Sequence, residues 1–449
     1  MSDVIDKIVG GETSRYNKRI AYREYYDGEH DTQLSDRQRE YLQLKVGEEF
    51  NDNYCPVVVD ALAERLNVIG IKAENQSETM WDWWQINRMD ATQKTTHTGA
   101  VRDGDDYILV SWDNDKGIPT FSYEPAYDGS EGVEVVYGFE HRNTPIYAFK
   151  RWPIEKGERL NIYYPDEIKK YTRQNEGDKG NDWAEFKDEG DTAWPVPWKN
   201  DAGEPLGIPV IHFKNGDRGY NYGQSELKNI VPLQNALNKS IIDLVAAADT
   251  TAFRVYWMIG DDPSGIKVVP GSWIYSTKPP SEASIGHISG EDLSKMIEFK
   301  DTFVTEIARV SRTPLSYFQM SGQVAAEGTM KQQESGLVAR AQDRQVVFGN
   351  AWEDAFYLAR RLWNVYANAE SLDEEEMIEV LWKDPETRND KNFLETLKTK
   401  MALRIPVEVL WGEMGYNSQE IDEMKKTPEY QAYMSMLGMD LSIDESENG

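Results

Sequence analysis

Apolar positions along this chain recur with two different periods, and the places where the period changes divide it. Tyr16, Ile20, Tyr22, Tyr25 and Tyr26 punctuate a polar background until Gly28 breaks it, which predicts helix within residues 1–50. Residues 36–44 form a second candidate helix. A third covers 57–66, where Val58, Leu62 and Leu66 share one face and Pro56 suits the first turn. A further helical stretch runs over 79–100 and ends near Gly99. The texture then changes to short apolar runs. Strands are expected at 107–112, 133–137, 147–152, 160–164 and 209–213, with a turn at Asp113-Asn114-Asp115-Lys116-Gly117 and a charged, turn-like stretch over 172–204.

From Gly223 the helical period returns. Leu227, Ile230, Leu237, Ile241, Leu244 and Ala248 fall at spacings of three and four or their sums, the seam of packed parallel helices. Pro232 is expected to separate a short first turn from the long helix. Residues 256–290 are rich in Gly and Pro, with short strands fitting at 267–269 and 273–275. The seam resumes at Leu293, Met296, Phe303, Ile307 and Val310, and Pro314 ends it. Small residues fill 320–328. A very long amphipathic helix follows over about 329–369, faced by Leu337, Ala341, Phe348, Trp352, Ala355, Ala359, Leu362 and Tyr366. A last strand is expected at 377–382, short helices over 389–436, and a frayed acidic tail from Asp440. The chain is therefore α+β and mainly helical. Its 256–290 insert sits at the tip of a hairpin of two long helices, an unusual arrangement for an enzyme.

At 449 residues the chain is long enough for about three domains and a sizeable core. Forty-nine basic residues against 78 acidic ones give a formal charge of −29. That field repels phosphate and excludes a broad nucleic-acid binder, but not a protein past which DNA must slide without sticking. The single cysteine, Cys55, allows no intramolecular disulfide, fits a reducing compartment and is expected to be a buried thiol. Residues 1–10 lack a basic stretch followed by an apolar one, so no signal peptide is expected. No run approaches the ~18 apolar residues of a membrane span. The 14 Trp and 24 Tyr, with clusters at Trp81, Trp83 and Trp84 and at Tyr123, Tyr127 and Tyr137, suit sugar platforms or large interfaces, but core packing explains them more simply.

Local motifs weigh against catalysis. The stretch from Gly322 to Lys331 has the wrong spacing for a phosphate loop, and no apolar strand precedes it. Asp113, Asp115 and Glu124 match three positions of a calcium loop, yet Ile118 stands where glycine is required, so a hairpin turn is expected. His30, His97, His141, His212 and His287 are scattered, with no zinc spacing, and no Gly-x-Ser-x-Gly elbow occurs. Asp103-Gly104-Asp105-Asp106 and Asp373-Glu374-Glu375-Glu376 read as solvated charge runs. Residues 406–424 imitate a helix-turn-helix with a capping box at Asn417 and Glu420, but Glu420, Asp422 and Glu423 do not suit base reading. No catalytic residue, cofactor or metal site is expected.

The layout over 205–366 resembles a family. Gly207-Ile208-Pro209-Val210-Ile211-His212-Phe213, then Gly223-Gln224-Ser225-Glu226-Leu227 and Ile230-Val231-Pro232-Leu233-Gln234-Asn235-Ala236-Leu237-Asn238-Lys239, resemble the entry to the first stem helix of portal proteins of long-tailed bacteriophages. Arg312-Thr313-Pro314-Leu315-Ser316-Tyr317-Phe318, followed by Ser321-Gly322 and a long helix, and Tyr25-Tyr26-Asp27-Gly28 near the start, are similar. The resemblance is strongest over 205–366 and weakest in the β region and the tail.

It implies a homo-oligomeric ring, usually of twelve subunits, at one capsid vertex of the virion, assembled in the host cytoplasm. Double-stranded DNA would pass through the axial channel without sequence specificity. Residues 1–222 with 330–385 would form the wing, 223–255 and 291–312 the stem helices, 256–290 the clip, 313–329 the tunnel loop and 386–449 the crown and tail. The loop would meet DNA through Met320, Ser321, Gly322, Gln323, Val324, Ala325, Ala326, Glu327 and Gly328, mostly small or neutral residues. Lys239, Lys295, Lys300, Arg309 and Arg312 would face the channel as basic spots or pair with a neighbouring subunit's carboxylates, and both readings stay open. The clip, with Asp261, Asp262, Lys267, Trp273 and Lys278, would dock the large terminase and later the head–tail adaptor. Major capsid and scaffold proteins would be further partners, and no membrane is involved. Two alternatives remain at this stage: another head component, such as an adaptor or minor capsid protein, and an acidic, Trp-rich carbohydrate-active enzyme with paired carboxylates in a cleft.

Overall fold

The computed structural model describes residues 2–436 apart from 12, 33, 35, 46–49, 139–143, 175–181, 192, 218, 253–255, 261–277, 280, 288–292, 319–326, 387–389, 415 and 417. The first elements are α1 (Ser2–Val9), α2 (Thr13–Asp27), α3 (Asp36–Tyr41) and α4 (Cys55–Ala63). Strand β1 (Val68–Lys72) follows, then α5 (Ser77–Ile86) and α6 (Met89–Asp103). The single helix expected over 79–100 is thus two. Asn87 and Arg88 break it, with Arg88 in the left-handed region at φ +55°.

Three strands build one small sheet: β2 (Asp105–Asp113), β3 (Ile118–Glu124) and, much later in the chain, β10 (Val210–Lys214), in the order β10-β2-β3. Between them, β4 (Gly132–Tyr137), β5 (Pro145–Ile154), β6 (Gly157–Tyr163), β7 (Glu167–Gln174), β8 (Ala184–Glu185) and β9 (Val196–Pro197) form a separate antiparallel sheet. Strands β3 and β7 were not expected. Their alternation is obscured by residues such as Pro119 and Lys169-Lys170, which only cross-strand pairing makes strand-like.

The helical half contains α7 (Val231–Ala252), the ribbon β11 (Tyr256–Ile259) with β12 (Ser284–His287), and α8 (Leu293–Ser311). A 3-10 turn, Glu226–Asn229, precedes α7, so the break expected near Pro232 is present. The expected strands at 267–269 and 273–275 lie outside the described residues. The long helix is α9 (Glu327–Tyr366), 40 residues. Strand β13 (Glu379–Trp382) pairs antiparallel with β1, and α10 (Asp390–Ala402), α11 (Val407–Met414), α12 (Ser418–Lys425) and α13 (Pro428–Met436) complete the chain. Helix covers 47% against 21% strand, as the pattern implied.

Helix α9 is the spine of the main core. Its buried face, Leu337, Ala341, Phe348, Trp352, Ala355, Ala359 and Leu362, is the one the spacing predicted, except that Tyr366 at the end of the helix is exposed. Trp352 meets Phe213 of β10 at 4.7 Å and Trp84 of α5 at 5.0 Å between ring centroids. Trp83 and Trp84 are therefore core residues rather than a platform. Cys55 is fully buried, and burial pushes its thiol up to about 12. A second core lies under the large sheet, where Ile5 and Ile8 of α1 and Tyr16 of α2 pack on Tyr127, Phe149, Leu160 and Ile162.

One expectation is overturned. Asp103, Asp105 and Asp106 do not form a solvated face; each is at most 5% exposed. They sit where α6 turns into β2, beneath α2, and arginines of α2 reach down to them: Arg19 pairs with Asp105 at 3.0 Å and Arg23 with Asp103 at 2.7 Å. Neighbours distant in sequence by about eighty residues supply the charges, which is why the run by itself looked solvated. Asp373, Glu374 and Glu375 do remain exposed. Asp113 closes the β2–β3 hairpin, its Oδ1 accepting from the N–H groups of Asp115 and Lys116 at 2.9 and 3.1 Å.

Candidate functional site

The distinctive feature is the α7–α8 hairpin, tipped by the β11–β12 ribbon and rooted on α9. The ribbon registers Tyr256 with His287 and Ile259 with Ser284. Trp257 and Ile259 are exposed on it, and Lys278 donates to the Gly260 carbonyl. Asp261, Asp262, Lys267 and Trp273 lie outside the described residues.

The root is built from the segment Gly223-Gln224-Ser225-Glu226-Leu227. A Cβ on Gly223 would lie 2.0 Å from the Gly104 carbonyl, so only glycine lets the two turns touch. The Gly223 N–H donates to Asp105 Oδ1 at 2.6 Å. Ser225 caps the 3-10 turn, accepting from the Leu227 N–H at 3.0 Å, and donates its hydroxyl to the Arg102 carbonyl. Asp105 also accepts from His212 Nε2 at 2.8 Å, while His212 Nδ1 meets the Tyr137 hydroxyl at 2.7 Å. Burial would push the Asp105 carboxyl up. The His212 hydrogen bond and charge, the Arg19 guanidinium and the Gly223 N–H outweigh it and hold the group well below the usual range.

Glu226 ties three elements together. Its Oε1 accepts from Arg344 at 2.8 Å and its Oε2 faces Arg340 at 2.7 Å, both from α9. Asn215, at the end of β10, donates to Glu226 at 3.2 Å and accepts from Arg344 Nε at 2.7 Å. Arg340 also donates to the Ser311 carbonyl at the end of α8. Cations at this end suit the helix dipole.

The first turns of α7 are held from the other side by buried amides. The Asn238 amide donates to His30 Nε2 at 3.1 Å, and Gln234 joins the Asp52 carbonyl at 2.6 Å and the Tyr54 N–H at 3.0 Å. These polar positions on an otherwise apolar seam escaped the sequence reading. Their signal is amides at i and i+4 within the seam, which needs a partner segment to acquire meaning.

Against this geometry, a family model described as "Phage portal protein, SPP1 Gp6-like" matches residues 5–432. The chain belongs to the SPP1 Gp6-like phage portal protein family. Curated relatives agree. The portal protein of Mycobacterium phage D29 is 24% identical, over 87% of this chain and 81% of that protein. The portal protein of Mycobacterium phage L5 is 23% identical, over 94% and 87%. Among solved structures, the neck of an empty GTA particle computed with C6 symmetry covers 74% of this chain and is covered over 81% of its own, at 11% identity and a TM-score of 0.41. The chain is a phage portal protein, a structural component of the phage head at the head–tail connection. This selects among the alternatives: neither the other head components nor the carbohydrate-active enzyme is retained. No helix among the described residues is long and apolar enough to cross a membrane.

In this portal-family chain the expected site residues fall into separate groups. Met320, Ser321, Gly322, Gln323, Val324, Ala325 and Ala326 lie outside the described residues. Glu327 and Gly328 open α9 rather than a loop, since the helix starts two residues earlier than its apolar face suggested. Lys239 pairs with Asp243 of its own helix at 2.8 Å, Lys300 with Asp301 at 3.1 Å, and Arg309 with Glu306. Surface pairs of this kind contribute roughly 0–1 kcal/mol each. Lys295 is exposed, as is Arg312, which follows α8 at φ +52°.

Proposed function

We propose that copies of this chain assemble into a ring, of twelve subunits as the resemblance implies, at one capsid vertex, and that double-stranded DNA passes through its axial channel during packaging and ejection. The observation that carries the reading is the long α7–α8 hairpin with a ribbon at its tip and its base locked to α9 by Glu226. A rigid, rooted hairpin repeated around an axis forms a tube wall, and each ribbon then projects from one end.

Residues 223–255 and 291–312 act as the stem, 256–290 as the clip that docks the large terminase and later the adaptor, and 1–222 with 330–385 as the wing. Residues 313–329 act as the tunnel loop and 386–449 as the crown and tail. Capsid and scaffold proteins hold the ring at the vertex. The formal charge of −29 on every copy keeps phosphate from sticking to the wall, so the duplex slides. The role is mechanical, and motor chemistry belongs to a separate ATPase.

Negative-stain imaging with a solution mass tests this reading. Rings with a central hole and a mass near twelve times 51.5 kDa are expected. Closed particles without a hole wide enough for a duplex, roughly 20 Å, overturn it. A deletion of 320–328 tests the loop: rings should form while packaging or DNA retention falls. Normal DNA-filled heads from that deletion remove the loop from the account.

A further inference from the structure

Where the end of α8, the lead-in to α7 and the middle of α9 meet, Arg312, Arg340 and Arg344 converge on an open pocket of about 370 Å³. Arg340 and Arg344 are largely buried and share the one carboxylate of Glu226. Arg344 is further matched by Asp343, and Asp217 on the rim is taken by Lys214 at 3.1 Å. Arg312 differs. It stands at the mouth, exposed, and among the described residues its guanidinium makes no ion pair with a carboxylate. Its backbone sits at φ +52°, a conformation costly for a residue with a Cβ. Gly336 of α9 lies beneath it, with the Arg312 Cβ 3.4 Å from where a glycine Cβ would stand. Burial, with the neighbouring charges of Arg344 and Arg312, holds the Arg340 guanidinium below its usual range in spite of Glu226. With Lys214 counted, which takes Asp217, four cations stand against three carboxylates here, Asp217, Glu226 and Asp343.

We propose that this pocket is an ionic socket that receives a carboxylate from a second copy of the chain. The inference rests on the ring reading and adds where neighbouring copies grip. A chain with 78 acidic and 49 basic residues repels its own copies, so contact requires cations left free at the interface. Arg312 offers a planar fork that matches a carboxylate in two parallel hydrogen bonds. Val310, 46% exposed beside it, supplies the apolar rim common at protein interfaces. The lining disfavours nucleic acid. Glu226, Asp343 and Asp217 would face the remaining charges of a phosphate backbone, whereas a single carboxylate meets only the free cation.

The test compares ring stability against salt for the full-length chain and three variants, by solution mass and imaging. Arg312→Gly removes the guanidinium while suiting the left-handed backbone, Arg312→Lys keeps the charge, and Arg312→Glu reverses it. Circular dichroism and melting temperature matching the parent establish that each variant folds. Arg312→Gly is expected to weaken subunit association about tenfold, Arg312→Glu to abolish rings, and Arg312→Lys to recover most of the loss. Rings from Arg312→Gly and Arg312→Glu as persistent as the parent's overturn the socket alone. Persistent rings with impaired packaging overturn it too and assign the pocket to DNA. A parent chain that forms no ring overturns the ring reading, and the socket with it.

Discussion

Trp352 of α9 donates its indole N–H to Nε2 of His97 of α6 at 3.0 Å, in the middle of the main core. Nδ1 of the same ring lies 2.8 Å from the Leu66 carbonyl and donates to it. Both ring nitrogens are thereby used by the neutral imidazole, with its proton on Nδ1. Protonation of Nε2 would break the Trp352 bond inside an apolar site.

That arrangement sets a pH dependence. Burial lowers His97 from 6.5 to about 4 in the fold. The unfolded chain, with an ordinary histidine, binds the proton first as pH falls. His97 therefore contributes full stability above about pH 6.5, loses it progressively down to about pH 4, and changes little below. The span corresponds to on the order of 3 kcal/mol. Urea unfolding of the parent and of His97→Gln at pH 7 and pH 4.5 checks it. The variant should be less stable at pH 7 and show a shallower fall, and equal slopes refute the assignment.

Gly99 of α6 faces Asp106 of β2. A Cβ on Gly99 would stand 1.6 Å from Asp106 Oδ2. Alanine normally favours a helix interior by ~1 kcal/mol over glycine, but here the clash decides the sign. Gly99→Ala should destabilise by about 2 kcal/mol. Asp106→Ala in the same chain should recover at least ~1 kcal/mol of that in a double-mutant cycle read by chemical denaturation. Burial, with the charge of Asp103 added, pushes the Asp106 carboxyl well above the usual range.

Removal of Glu226 leaves Arg340 and Arg344 partly buried without their shared carboxylate. Glu226→Ala should cost about 3 kcal/mol and loosen the base of the α7–α8 hairpin. Hydrogen exchange is the direct readout: amides of the 3-10 turn and the last turn of α8 should exchange faster while those of β5 and β6 stay protected.

Cys55 should be silent in the folded chain. With its thiol raised to about 12 by burial, the thiolate is scarce at pH 8 and the sulfur is inaccessible. A disulfide-exchange reagent should modify it only after denaturant is added. Rapid labelling of the native protein would contradict the packing around α4.

Much of the fold was legible because periodicity survives in isolated segments. Leu337, Ala341, Phe348 and Trp352 name the buried face of α9 whatever it packs against. The strands missed were those whose pattern is not their own. Strand β1 becomes one only by pairing with β13, more than three hundred residues on. Charged groups were least legible. Asp103, Asp105 and Asp106 form an acidic run in sequence and a buried cluster in space, in which Asp105 and Asp103 are paired by Arg19 and Arg23 arriving from α2.

The sequence by itself determined the alternation of helical and β-rich segments, the hairpin with its Gly- and Pro-rich insert, the acidic charge and the likeness to portal proteins. All of these depend on local spacing, turn chemistry and residue counts. Tertiary structure alone decided which carboxylates are buried, that Glu226 joins the lead-in to α7, the end of β10 and α9, and that Arg312 makes no ion pair among the described residues, beside two arginines that share Glu226. A charge has no fixed meaning along the chain: its solvation and partners come from segments folded against it, and those depend on long-range packing that no local pattern encodes.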